Sequence, residues 1–186
     1  IPSFIFCRPL LDVVTIYIEQ AGSMPILTAN APNFYQIFQV FTPRSRTGQI
    51  VNIGLFVTVV IATLYSLRVA KKNLISQKET FLFSAGFILF LMPYIMPSML
   101  DRYFFAAEIF LLLLALVKPK WWFLPIMVTS ASLLAYYNSY AVISLGLNAA
   151  PARTAAIINT FVLLILLVNF LKLNKKESGQ IDQILH

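Results

Sequence analysis

Residues 50–67 read IVNIGLFVTVVIATLYSL, an uncharged run closed by Arg68. As a helix rising about 1.5 Å per residue it covers about 27 Å, close to the roughly 30 Å of hydrocarbon in a bilayer. Four further stretches fit the same description. Phe81 to Leu100 is uncharged and contains Pro93 and Pro97, and Asp101 to Val117 carries Glu108 in its interior. Trp122 to Tyr140 is uncharged, and so is Thr154 to Leu171, which Lys172 closes. The expected fold class is all-α: a polytopic helical membrane protein with about five transmembrane helices and short extracytoplasmic interfacial helices.

Composition agrees. Of 186 residues, 59% are hydrophobic and 11% charged, where a soluble domain carries about 25% charged residues. A small globular fold cannot hide that much apolar surface in one core, and disorder requires the opposite composition. A single cysteine, Cys7, excludes an internal disulfide and a cysteine-based zinc site, and the single histidine is His186. HExxH, a Ser-His-Asp triad and glycine-rich phosphate loops are therefore missing from the sequence. Neither a metal nor a cofactor is expected, and any chemistry falls to carboxylates, arginine, tyrosine and amides.

Basic residues concentrate on the cytoplasmic side of membrane proteins. With five alternating spans, Arg68, Lys71, Lys72, Lys78, Lys118, Lys120, Lys172, Lys175 and Lys176 share one side, against Arg8, Arg44, Arg46, Arg102 and Arg153 on the other. The first side is read as cytoplasmic. The net charge of +7 thus lies mostly in short juxtamembrane clusters facing lipid headgroups, and nucleic acid is not an expected partner.

Four regions follow. Residues 1–6 read as the end of a truncated transmembrane helix, 7–49 as an extracytoplasmic loop, 50–171 as the five-span bundle and 172–186 as a mobile cytoplasmic tail. Within the loop, Pro9 to Gln20 suits an amphipathic helix with Leu10, Leu11, Val14 and Ile18 on one face and Asp12, Thr15 and Glu19 on the other. Val14 to Ile18 also reads as an alternating strand. A second short helix is expected after Asn30-Ala31-Pro32-Asn33, with Phe34, Phe38 and Phe41 on one face and Pro43 as its stop. These helices either cap the bundle, or Asn30, Asn33, Tyr35 and Gln36 line a sugar-binding cleft.

The most informative stretch is residues 92–108, MPYIMPSMLDRYFFAAE. The two prolines break or kink a helix near its outer end and free backbone carbonyls that need polar partners. Asp101, Arg102 and Tyr103 then stand at the membrane boundary, with Glu108 two turns deeper on the face of Asp101. A carboxylate in the bilayer is costly and faces a bundle interior, a cavity or a partner. One reading is an interfacial ion pair with an aromatic anchor and a Glu108 bonded to a neighbouring helix. The other is that Arg102 grips a phosphate through its planar fork, with Asp101 orienting Arg102 or a sugar hydroxyl.

Residues 92–108 resemble the Met-His-Glu/Asp-Arg-Tyr element of GT-C type membrane glycosyltransferases, specifically bacterial relatives of the GPI-anchor mannosyltransferases. Leu10-Leu11-Asp12 through Tyr17, and Leu27-Thr28-Ala29-Asn30-Ala31-Pro32-Asn33, resemble that group's extracytoplasmic region. Leu100 stands where the group has histidine. That family's catalytic carboxylate, in its first extracytoplasmic loop, has no counterpart here, so the resemblance is to the carboxy-terminal part of such an enzyme, and the chain alone is expected to be inactive. The resemblance implies transfer of a sugar, mannosyltransferase-like, from a polyprenyl-phosphate donor to a glycan, lipid or protein acceptor at the outer face of a bacterial plasma membrane. Implied substrate-binding residues are Arg102, Asp101, Tyr103, Asn30 and Asn33, with Glu108 supporting helix packing. The competing classes are a transporter or flippase module, for which broken spans and an intramembrane Glu are natural, and a non-catalytic membrane subunit.

The charge distribution makes a direct prediction. With Cys7 replaced by serine, a cysteine at Lys120 should react with an impermeant thiol reagent only from the cytoplasmic side, and one at Arg153 only from the outside. Labelling of both from the same side would refute the assigned orientation.

Overall fold

The computed structural model describes residues 27–38, 46–71, 78–145 and 150–184, which are helical apart from short connections. A short helix α1 (Phe34–Phe38) precedes α2 (Thr47–Lys71) and α3 (Lys78–Ile95). A 3-10 turn (Asp101–Phe104) leads into α4 (Phe105–Val117), a second (Pro119–Trp121) into α5 (Phe123–Leu145), and α6 (Ala150–Ile184) ends the described chain. The short helix expected after Asn33 is present as α1. The expectations for residues 1–6 and for Pro9 to Gln20 lie outside the described residues, as do Phe41 and Pro43.

Three helices are long and apolar enough to cross a membrane: Thr47–Lys71, Lys78–Ile95, and Pro151–Lys172 within α6. The other two expected spans differ from this pattern. The 13 residues of α4 rise about 20 Å, and the four of the preceding 3-10 turn add about 8 Å at about 2 Å each. Only together do they approach bilayer thickness. At 23 residues α5 is long enough, but Thr129, Ser130, Ser132, Asn138 and Ser139 dilute its apolar character. The last helix runs on through 173–184, a stretch with Gly179 as its only strong helix breaker.

Neighbouring helices run in opposite directions. Tyr65 of α2 donates to the Ser84 carbonyl of α3 (2.7 Å), while Gly54, further back on α2, abuts Pro97 beyond the far end of α3. Along α3 and α6, Phe87 stacks on Phe170 and Tyr94 bonds to Thr160. Glu79, Lys118, Lys120 and Lys172 consequently meet at one end, and the network that joins Asn30 and Asp101 to Ser139 lies at the other.

Helical stripes build the core. Phe83, Phe87, Phe90 and Tyr94 line one face of α3 at spacings of three and four. They pack on Phe104, Ala107, Leu111 and Leu114, on Leu124 and Val128 of α5, and on Val162, Leu166 and Phe170 of α6. Both α5 and α6 also bury small residues, Ala131 and Ala135 on the first and Ala152, Ala155 and Ala156 on the second. Small side chains let two backbones approach closely, which favours helix association where lipid removes the usual hydrophobic drive. Outward positions are strongly apolar, including Phe56 (71% exposed) and Leu116 (72%). Such surface suits hydrocarbon, not water.

The proline-rich corner corrects the expected span at Phe81 to Leu100. Pro93 is accommodated inside α3, but the helix stops at Ile95. Pro97 disfavours helical geometry at Met96, and Ser98 turns the chain with a left-handed φ of 59°. Residues 98–100 then run beside 27–30: Ser98 N–H donates to Leu27 O and Ala29 N–H to Met99 O, both 2.9 Å. Met96 O accepts from the Asn33 side chain at 3.3 Å. Carbonyls released by the helix stop are thus taken up by the preceding loop, as buried backbone requires.

The contact of α2 with this corner depends on Gly54, where a Cβ would collide with the Tyr35 hydroxyl and crowd the Pro97 ring at 3.1 Å. Gly54→Ala should lower stability by about 1–3 kcal/mol in detergent thermal unfolding. Tyr35→Phe in the same chain should recover most of that loss. An additive loss would show that the hydroxyl is not the obstacle.

Candidate functional site

Four elements converge at the lysine-poor end: residues 27–33, the 3-10 turn, the first turn of α4 and the second half of α5. Asn30 organises the junction. Its backbone is left-handed, φ 64°, a conformation asparagine tolerates better than most residues. That turn sends its amide into α5, where Nδ2 donates to the Ala135 carbonyl and to Ser139 Oγ, both 2.5 Å. Asn30 Oδ1 accepts from Asn138 Nδ2 at 2.6 Å.

Ser139 passes the connection on. Its hydroxyl accepts from Asn30 and donates to Asp101 Oδ2 at 3.1 Å. Asp101 Oδ1 accepts from the Arg102 backbone N–H at 2.8 Å, holding the first residues of the 3-10 turn. One turned chain of hydrogen bonds therefore runs Asn138, Asn30, Ser139, Asp101. Two turns deeper, Ser132 Oγ donates to Glu108 Oε1. Seven residues separate Asp101 from Glu108, and seven separate Ser132 from Ser139. Because α4 and α5 are antiparallel, the two carboxylates meet the two serines as successive rungs. The shared face expected for Asp101 and Glu108 is present, and each carboxylate has a hydroxyl donor. Tyr136 lies on α5 between those rungs, within electrostatic reach of Asp101, Glu108 and Arg102.

The sequence-predicted residues divide into three groups. Asn30 and Asp101 belong to one network. Arg102 and Tyr103 face outward beside it, both exposed, Tyr103 by 49%. Asn33 is fully buried and stands apart: Oδ1 accepts the Gln36 N–H of α1 at 3.2 Å while Nδ2 reaches Met96 O. Its side chain holds α1 against the end of α3. Gln36 is also buried, and Asn159 Nδ2 donates to Pro32 O at 3.0 Å from α6. Tyr35 is half-buried with its phenol pushed above the ordinary range by burial, so it remains neutral. One expectation is corrected: Asp101 contacts the main chain of Arg102, and among the described residues no ion pair engages the Arg102 guanidinium.

Sequence reasoning missed Ser132, Tyr136, Asn138 and Ser139. Their signal was present as polar positions at helical spacing (132, 136 and 139) inside an otherwise apolar span. Without the partner helix it could not be told from scattered polar substitutions. Asn138 Oδ1 is buried and has no hydrogen-bond partner among the described residues, an acceptor at the inner edge of the network.

No cluster of His, Cys, Asp or Glu among the described residues could hold a metal ion. Comparison with family profiles, with curated proteins and with solved structures found no match.

Removing a donor strands the carboxylate it serves. Ser132→Ala and Ser139→Ala should each cost about 1–3 kcal/mol in thermal unfolding, and Ser132→Thr, which keeps the hydroxyl, should cost less than Ser132→Ala. Equal losses for alanine and threonine would assign the effect to packing alone.

Proposed function

We propose that this chain is the carboxy-terminal, five-span part of a GT-C type membrane glycosyltransferase, multi-pass in a bacterial plasma membrane, and that the full-length enzyme moves a sugar from a polyprenyl-phosphate donor to an acceptor at the outer face. The observation that carries this reading is the separation of charges at the outer corner. The Asp101 carboxylate is held by Ser139 and the Arg102 backbone, so the exposed guanidinium is left without an ion-pair partner among the described residues. An arginine fixed at its base and free at its tip, at the depth of lipid headgroups, suits a lipid-linked phosphate.

In this reading Arg102 binds the donor phosphate and stabilises the negative charge that develops on it as the glycosidic bond breaks. Asp101 positions Arg102 through the backbone of the 3-10 turn. Tyr103, exposed beside it, offers an aromatic face to the donor or the headgroup layer. Asn30 keeps Ser139 and Asp101 in place, and Asn33 acts further out by holding α1 against the end of α3. Glu108, bonded to Ser132, serves α4–α5 packing. The adjacency of 27–33 and 96–100 also supports the reading, because two of the three stretches that carry the resemblance form one corner.

Arg102→Ala in the full-length protein should reduce transfer from a polyprenyl-phosphate sugar by about 10²-fold. Arg102→Lys, which keeps the charge but loses the planar fork, should fall between that variant and the parent. Unchanged transfer in Arg102→Ala would refute the phosphate assignment.

A further inference from the structure

The opposite end of the bundle holds a cleft of about 190 Å³ between the start of α3, the end of α4, the second 3-10 turn and α6. It is much larger than the roughly 10–15 Å³ that a single water needs. Its walls are of two kinds. Phe83, Leu114 and Trp121 form an apolar side, whereas Lys118, Lys120, Lys172 and Glu79 form a charged rim.

The rim charges do not cancel. Lys118 is paired with Glu79. Lys120 lies over the Trp121 ring with its ammonium 5.1 Å from the centroid, an arrangement that steadies the cation without neutralising it. Lys172 forms no ion pair among the described residues. Three lysines against one glutamate leave a net charge of +2 around one opening. Lys172 ends one membrane-length helix and Glu79 lies in the first turn of another, which puts the opening at the level of the headgroup layer.

We infer that this cleft is a binding site for the phosphate headgroup of an anionic membrane phospholipid. The phosphate bridges Lys120 and Lys172, while the first part of the acyl chains lies along Phe83, Leu114 and Trp121. Basic pockets between membrane helices recognise lipid phosphates by this combination of charge and apolar wall. A free phosphate ion would use only the charged rim and leave the apolar wall unoccupied, which is why the lipid is the assigned ligand. This inference does not depend on the transferase reading, since it concerns the other end of the molecule and residues with no part in transfer.

The test uses the full chain with Trp122→Phe, which leaves Trp121 as the only tryptophan, in phosphatidylcholine nanodiscs with increasing shares of phosphatidylglycerol. Trp121 fluorescence should change saturably. The double variant Lys120→Gln/Lys172→Gln should raise the half-saturating share by about tenfold or more, as expected from losing two charged contacts. Lys71→Gln, at the same end but outside the cleft, should leave it unchanged. Glu79→Gln releases Lys118 and should lower it, a direction that misfolding cannot imitate. A non-saturating response, or an unchanged response in the Lys120/Lys172 variant, would overturn the site. Inorganic phosphate giving the full response in phosphatidylcholine alone would overturn the lipid assignment.

Discussion

A carboxylate packed between helices must have a hydrogen-bond donor, and the lysine-poor half of this bundle is arranged around two of them. Asp101 and Glu108 meet Ser139 and Ser132 on one partner helix. Without those donors each carboxylate would carry a desolvation cost larger than most single packing contacts return. The pairing also sets geometry. Two rungs with equal spacing on antiparallel helices fix the register of α4 against α5, since a shift of one residue would remove both serines from reach. Polar contacts of this kind specify an arrangement that apolar contacts tolerate only loosely, because leucine against leucine is nearly as good one residue along.

From that register the corner follows. Ser139 is brought to Asp101, and the same hydroxyl receives Asn30, whose left-handed backbone turns the loop across the end of α5. The loop then supplies partners for the carbonyls left when α3 stops at Ile95. From α6, Asn159 donates to Pro32 of the same loop. Each step satisfies backbone or amide groups that packing turns away from solvent. The result is a polar corner with the Arg102 side chain exposed beside it.

The two ends of the bundle therefore differ in kind. At the Asp101 corner negative charge is held by hydrogen bonds and positive charge is presented at the edge. At the lysine end one carboxylate, Glu79, is engaged by Lys118, and an excess of positive charge surrounds a half-apolar cleft. The two proposed phosphate sites would work by different means: a planar fork in the first case, flexible ammonium groups above an apolar wall in the second.

Much of the architecture was legible before any contact was known. Uncharged runs of membrane length mark helices because hydrocarbon permits few other backbone solutions, and the lysine distribution separates the two ends. Prolines 93 and 97 mark the break, and the spacing of Asp101 and Glu108 places them on one face. Local sequence could not say where α3 would stop, since Pro93 is accommodated and Pro97 is not. Nor could it tell Asn33 from Asn30: both are amides in the same short stretch, yet one is buried against Met96 and the other reaches α5. The serines and Tyr136 of α5 gained meaning only when α4 was placed opposite them. Composition and periodicity are properties of one segment and survive in sequence. A hydrogen bond across more than a hundred residues, as from Asn30 to Ser139, belongs to two segments and exists only once packing has brought them together.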